Sequence, residues 1–449
     1  MPRLPRPFRL LAAAGWLAFP ALAHAVTLPD STVREAWRLP NGLEVRTLHV
    51  PNAGAVAVTV AYRAGSGYDP KGLEGLSDLL AELQWTCAAG PTPERTRDDL
   101  ASLRPLGSES RVGTRLVRFT EIVTAQQLPG VLQEAARRMA GVTVTDADVR
   151  TARASIRSDL GRRYFGPVAD VLYWRVAAFA RGADDERLVR LAGVPAVEKL
   201  AARDVTPWLQ RWYHAGNASL AIAGNLEGVD VQAVVGSLFG GLKGGAALPD
   251  TVEVRLSGAR RTARYRQIQE PVAAVAVTGP ALADSLHPAF YLGMIVTGPA
   301  LTHNWGAAPA PLTSRFQYSL LDEPELVRFY PPVAKDATDP EVVAGSLYEH
   351  LKVVSGVNVP ATTLNRVKRS VRWLIGGDLP PDLKARLRTD TGGLGTLANG
   401  AATRALWLGD TFWARYLERF DGTMLGHNYF YEWITQPEHQ SILLLTPGS

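Results

Sequence analysis

The sequence predicts an α+β protein of two tandem domains, each a mainly antiparallel sheet packed with helices. Three observations carry that expectation. Strand-like runs precede helix-like runs in both halves of the 449-residue chain, the order typical of α+β domains. A glycine-rich, aperiodic stretch, Gly240-Gly241-Leu242-Lys243-Gly244-Gly245-Ala246, separates the halves as a linker. Ala55-Val56-Ala57-Val58-Thr59-Val60 and Val272-Ala273-Ala274-Val275-Ala276-Val277-Thr278 look like equivalent strands of a diverged duplication.

The first residues are read as an export signal and set aside from the fold. Arg3, Arg6 and Arg9 precede an apolar stretch, Leu10 to Leu22, and Ala23-His24-Ala25 supplies a small-residue cleavage site. The apolar stretch is too short to span a bilayer as a helix, so no integral membrane segment is expected after cleavage. The full chain carries a formal charge of +5, and removal of those three arginines lowers it to +2. Such a balance gives little support to nucleic-acid binding, which wants a basic face. Cys87 is the only cysteine, so no internal disulfide is possible, although export places the chain in a compartment that permits them. It follows a leucine stripe and reads as a small buried hydrophobe.

In chain order, the Asn41-Gly42 turn feeds a strand over Glu44–His49, and a second strand covers Ala55–Tyr62. After the Ala64-Gly65-Ser66 loop, a helix is expected over Gly72–Trp85, because Leu76, Leu79, Leu80 and Leu83 recur at helical spacing. One strand is expected over Arg111–Thr124. Helices follow over Leu128–Met139, from the Thr145-Asp146 cap through Leu160, and over Pro167–Ala180. Trp208–Asn217 leads into a strand at Ser219–Ala223. Beyond the linker come strands at Val252–Leu256 and Ala273–Thr278, then helices near Pro288–Val296, Glu341–Val353, Ala361–Leu374 and Ala402–Phe420. Gly392-Gly393-Leu394-Gly395 reads as a hinge.

The stretch Gly72-Leu73-Glu74-Gly75-Leu76-Ser77-Asp78-Leu79-Leu80-Ala81-Glu82 resembles the H-x-x-E-H helix of the M16 (pitrilysin/insulinase-like) metallopeptidases. Leu39-Pro40-Asn41-Gly42-Leu43 resembles that family's L-x-N-G-L opening strand. Tyr213-His214-Ala215-Gly216-Asn217-Ala218-Ser219-Leu220 with Gly224-Asn225 is similar to its Y-x-P-x-N-x-x-L…G-D block, with Ala215 and Asn225 departing from Pro and Asp. The likeness covers most of residues 35–240, and the second half is matched mainly by architecture. It implies two tandem M16-type (LuxS/MPP-like) domains: residues 26–239, then a linker at 240–250, then residues 251–449, with the signal peptide at 1–25.

The resemblance also shows what is missing. Asp78 falls where the first His ligand should stand, Ala81 at the Glu base and Glu82 at the second His. Asp159, seventy-seven positions beyond Glu82, falls at the third ligand, a Glu in the family, and Ala152 at its supporting acid. In the second half Leu321 and Arg328 fall where the family's substrate-gripping Arg and Tyr are expected, with Tyr330 two residues on.

Zinc hydrolysis needs strong zinc donors such as imidazole, an open coordination position and a base for the bound water. The methyl group of Ala81 cannot act as that base. Asp78 and Glu82 share a helix face and with Asp159 offer only carboxylates, donors that suit hard divalent cations better than zinc. They are expected to be solvated or ion-paired. No catalytic residue and no bound cofactor are therefore expected, zinc or a hard divalent cation at Asp78, Glu82 and Asp159 being the alternative.

Elsewhere, the remaining histidines show no ligand spacing and no G-x-S-x-G elbow occurs. Asn217-Ala218-Ser219 fits a glycosylation sequon, and most of the aromatic-rich tail is expected to be core. In M16 pairs one subunit often keeps the zinc motif while the other shapes the chamber. The resemblance thus implies a non-catalytic subunit, periplasmic if the source is Gram-negative, that pairs with an active M16 protease and helps hold peptides. A homodimer is the other assembly considered. A divergent carboxylate metallopeptidase and a stand-alone peptide-binding scaffold are the alternative functions.

Overall fold

The chain is described here by a computed structural model covering residues 33–89, 94–95, 101–103, 105–250, 252, 258–303, 305, 307–308, 312, 314–355, 359–375, 386–387, 389–423 and 427–448. The expected signal peptide and most of the Val252–Leu256 strand lie outside the described residues.

In the first half, strands β1 (Val33–Arg38), β2 (Glu44–His49), β3 (Val56–Tyr62), β6 (Gly107–Val112), β7 (Val117–Val123) and β9 (Ala218–Gly224) form one sheet, ordered β1-β2-β9-β3-β7-β6. The short β4 (Ala88–Ala89), β5 (Glu94–Arg95) and β8 (Val142–Thr143) form a separate ribbon. Helices α1 (Leu76–Thr86), α2 (Leu128–Ala140), α3 (Asp146–Phe165), α4 (Val168–Ala180), α5 (Asp185–Gly193), α6 (Pro195–Glu198), α7 (Ala202–Trp212) and α8 (Val231–Phe239) complete this half. In the second, β10 (Arg260–Tyr265), β11 (Val272–Thr278), β12 (Phe316–Ser319), β13 (Glu323–Phe329) and β14 (Gln440–Pro447) are ordered β10-β14-β11-β13-β12. Its helices are α9 (His287–Thr302), α10 (Pro340–Ser355), α11 (Ala361–Ile375), α12 (Thr391–Leu406), α13 (Gly409–Gly422) and α14 (His427–Ile434).

The two sheets share a topology. β2 pairs with β9 in parallel, as β10 does with β14, while the remaining ladders are antiparallel. β3 and β11 hold the same place in the two orders, so the Ala-Val strands that look duplicated in sequence are topological equivalents.

Alternation along those strands sets the layers. On β3, Val56, Val58, Val60 and Tyr62 join the core under α1 and α2, while Ala57 and Ala61 face the other way. There the covering helix is α12, from the second half, whose Leu394, Leu397 and Ala398 pack on those alanines and on Ala221 and Ala223 of β9. Reciprocally, α4 of the first half covers the rear of the second sheet through Val171, Leu172 and Val176 against Ala274, Ala276 and Leu443. Small side chains on the rear face admit a helix from the opposite half, so the halves interlock.

Several boundaries differ from the sequence expectation. The Arg111–Thr124 strand is a hairpin, β6 and β7, turned at 113–116. The expected hinge at Gly392–Gly395 is instead the start of α12, capped by Asp390, whose Oδ1 accepts from Gly393 N at 3.0 Å. A Cβ on Gly395 would meet Ile122 Cδ1 at 3.4 Å, an ordinary contact with the first sheet. The Ala402–Phe420 helix is two helices, broken where Leu408 takes φ 66°.

The glycine-rich linker is a pinned connector. Asn41 Nδ2 donates to Phe239 O at 2.7 Å and Leu242 O at 3.1 Å, and Leu248 N donates to Asn217 Oδ1 at 2.9 Å. Gly245 lies against the His214 ring, where a Cβ would come within 2.6 Å of a ring carbon. Asn217 itself is fully buried and donates to Arg63 O and Trp212 O, so its amide is structural and the sequon is closed to modification.

Candidate functional site

The helix that resembles the zinc helix forms for local reasons. Gly75 enters it at φ 90°, a left-handed conformation that glycine adopts without strain. Asp69 caps the first turn by accepting from Gly75 N and Ser77 N, both at 2.8 Å. Leu76, Leu79, Leu80 and Leu83 are buried in the first core, as their spacing predicts, and Cys87 is buried beyond the last turn. Ala81 is buried with them, at 2% exposure.

α3 packs against α1 and brings Asp159 near Asp78, but a cation of the chain itself joins them. Arg163, one turn beyond Asp159, reaches Asp159 Oδ2 at 2.5 Å and Asp78 Oδ1 at 3.5 Å. Its guanidinium also lies 4.8 Å from the centre of the Trp174 ring, a cation–π distance. Arg162 adds contacts at 2.8 Å to Asp159 and 2.7 Å to Asp170. Among the described residues no three His, Cys, Asp or Glu side chains are grouped to hold a metal ion.

Electrostatics follow from burial and like charge. Burial raises the pKa of Asp78, opposed by Arg163 and reinforced by Asp159. Burial, then the Asp78 carboxylate, pushes Asp69 up to about 7 against the two backbone N–H groups it accepts. Burial also raises Tyr164, with Asp78 adding to the shift. Asp69, Asp78 and Asp159 thus form an acidic seam neutralised in part by Arg163 and, at Asp159, by Arg162.

The second-half positions are spent on structure. Leu321 is buried in the second core. Arg328 donates to Glu323 Oε2 at 2.6 Å and to Tyr173 O at 3.2 Å, and lies 4.1 Å over the Tyr173 ring. Tyr330 is buried, with its hydroxyl donating to Gln317 Oε1 at 3.1 Å. These contacts tie β13 to α4. Burial alone would raise Glu323, but Arg181 and Arg328 outweigh it and hold the carboxyl far below the usual range.

The tail aromatics Trp407, Trp413, Tyr416, Phe420 and Phe430 are buried in the second core, as expected of most of that cluster. Two features had no signal in sequence: the Arg163 bridge, which spans 85 positions from Asp78, and the network in which Arg118 and Arg111 of the first half pair with Asp322 of the second.

Residues 199–317 match the family described as Peptidase M16 inactive domain. No curated protein matches the chain. Among solved structures, a protease from Helicobacter pylori superposes with TM-score 0.68 at 15% identity, covering 93% of this chain and 100% of that one. An M16-like peptidase from Alicyclobacillus acidocaldarius gives 0.67 at 15%, covering 94% and 100%. The periplasmic protease PqqL from Escherichia coli gives 0.63 at 14%, covering 94% of this chain and 48% of that one. At such identities the superpositions show the fold, an α+β architecture shared with M16-like peptidases over 93–94% of the chain, and residues 199–317 carry the match to the M16 inactive domain.

Proposed function

We propose that the chain is an exported, non-catalytic M16-like subunit that pairs with a zinc-dependent M16 protease and helps enclose peptide substrates. The observation that carries this reading is the Arg163 guanidinium between Asp78 and Asp159, positions that the resemblance assigns to metal ligands. The residues present fit zinc poorly. Imidazoles are replaced by carboxylates, a fixed cation competes for two of them, and Ala81 offers no base.

A size relation supports the pairing. This chain spans about half the length of PqqL, so two such chains would match it in length. Periplasmic residence is proposed from the signal-like start and from that relative. Among the described residues no helix is long and apolar enough to cross a membrane.

The test is co-expression with an M16 protease that keeps H-x-x-E-H, followed by affinity capture and a peptide-cleavage assay. An equimolar complex that cleaves peptides faster than the protease alone is the expected result. Chelator-sensitive cleavage by this chain alone would favour the divergent peptidase. Failure to form any complex with such a protease would leave the stand-alone scaffold.

A further inference from the structure

A cavity of about 380 Å³ lies between the two halves, on the rear face of the first sheet and apart from the Asp78–Arg163–Asp159 cluster. One wall is the β6–β7 hairpin. Glu109 and Arg111, two apart on β6, share a strand face and stand in register with Thr120 and Arg118 of β7. The other wall comes from the second half: Tyr291 of α9, Tyr318 and Leu320 around the end of β12, and Asn399 of α12.

Arg111 and Arg118 face each other across the ladder, a pairing of like charges that would be unfavourable alone. Asp322 resolves it, joined to Arg118 by an ion pair and to Arg111 at 3.3 Å, while Ser319 Oγ donates to its second oxygen at 2.9 Å. The carboxylate of Asp322 is therefore spent, and so is most of Arg118, which also reaches Thr403 Oγ1 at 3.4 Å.

Other polar groups of the cavity are not spent. The Arg111 side chain is 41% exposed, and its one ion pair among the described residues is with Asp322, the Glu109 carboxylate adding a weaker attraction. Asn399 Oδ1 accepts from Thr120 Oγ1 at 2.8 Å and Thr59 Oγ1 at 3.2 Å, which fixes the amide and leaves Nδ2 without a protein partner among those residues. The Tyr291 ring is buried, yet its hydroxyl finds no hydrogen-bond partner among them. Glu109 and Thr396 are exposed and mark the mouth. Donors with capacity to spare, the exposed Glu109 carboxylate and an apolar floor thus converge in a cavity of the size that holds small ligands.

We propose that this cavity binds a free α-amino acid with an aromatic or large aliphatic side chain. Arg111 and the Asn399 amide receive its carboxylate, as a guanidinium and an N–H donor suit that group. Glu109 receives its ammonium. Tyr291, Tyr318 and Leu320 take the side chain. Because the walls belong to different halves, the bound molecule ties them together and raises stability by mass action. This site is independent of the peptide-chamber reading, and neither stands or falls with the other.

Isothermal titration of the full chain with L-phenylalanine tests the assignment, alongside phenethylamine, N-acetyl-L-phenylalanine and L-lysine. L-Phenylalanine is expected to bind, with phenethylamine and L-lysine each weaker by about tenfold or more. Arg111→Gln should weaken binding by a similar factor. Thr396→Trp, an exposed change at the mouth, should abolish binding while leaving the unfolding temperature of the free protein unchanged. Absence of binding at about 10 mM phenylalanine, or equal binding by Thr396→Trp and wild type, overturns the site. N-acetyl-L-phenylalanine binding as tightly as phenylalanine overturns the amino-acid assignment and points to a peptide C-terminus.

Discussion

Arg163 Nη2 lies 2.5 Å from Asp159 Oδ2, and the same guanidinium reaches Asp78 at 3.5 Å. Those carboxylates come from two helices that an M16-type metal would join. Here a side chain from α3 joins them, carrying one positive charge in place of two. The arginine thereby links α1 to α3.

Replacing that arginine should therefore loosen the helix pair. Arg163→Leu leaves the mostly buried Asp78 without its counter-charge and beside Asp159. Since both acids keep some access to water, a loss of about 1–3 kcal/mol is expected rather than the full cost of an orphaned buried charge. Urea denaturation measures it. Unchanged or increased stability would show that the acids do not depend on Arg163.

Rebuilding the zinc helix should fail while Arg163 remains. A variant with Asp78→His, Ala81→Glu, Glu82→His and Asp159→Glu is expected to hold little zinc, because the guanidinium still occupies the third carboxylate. Adding Arg163→Leu should raise occupancy toward about one zinc per chain, measured by elemental analysis after dialysis. Equal occupancy in the two variants would contradict a competing role for the arginine.

His287 offers a pH test in the second half. Its Nε2 lies 3.0 Å from Pro324 O, which can only accept, so Nε2 carries the proton and Nδ1 accepts from the Tyr416 hydroxyl at 2.8 Å. Burial lowers its pKa from 6.5 to about 4. The unfolded chain thus binds the proton first as pH falls, so the contribution is complete above pH 6.5 and is lost between there and about pH 4. The amount is about 3 kcal/mol. Comparing wild type with His287→Asn by chemical denaturation at pH 7 and pH 4.5 isolates it. The stability gap between the two proteins should narrow at the lower pH, and a constant gap would refute the neutral buried imidazole.

The connector supplies a fourth expectation. Gly245 packs on the His214 ring so closely that a Cβ would displace it. Gly245→Ala should cost about 1–3 kcal/mol, whereas in a loose linker the same change would be neutral or slightly stabilising. Thermal unfolding distinguishes the two.

Much of the fold was legible because its periodicities are local. The leucine stripe of α1 and the Val/Ala alternation of β3 and β11 announce both the element and its buried face. Other elements hid behind their composition. β10, Arg260–Tyr265, holds three arginines and no apolar alternation, yet it pairs in parallel with the apolar β14. The start of α12 looked like a hinge, but its glycines lie in a capped first turn, Gly393 N donating to Asp390 and Gly395 resting on Ile122 of the first sheet. At the candidate site, the altered residues were visible from spacing alone. Their partner was not, since Arg163 meets Asp78 only after α1 and α3 pack, and no local pattern encodes a contact 85 positions apart.

The most direct test of the central claim is the zinc content of the purified mature protein after incubation with Zn²⁺ and dialysis, with peptide cleavage assayed on the same sample. The Arg163 bridge predicts less than about 0.1 zinc per chain and no chelator-sensitive cleavage. One zinc per chain that survives dialysis, together with cleavage abolished by a chelator, would contradict it.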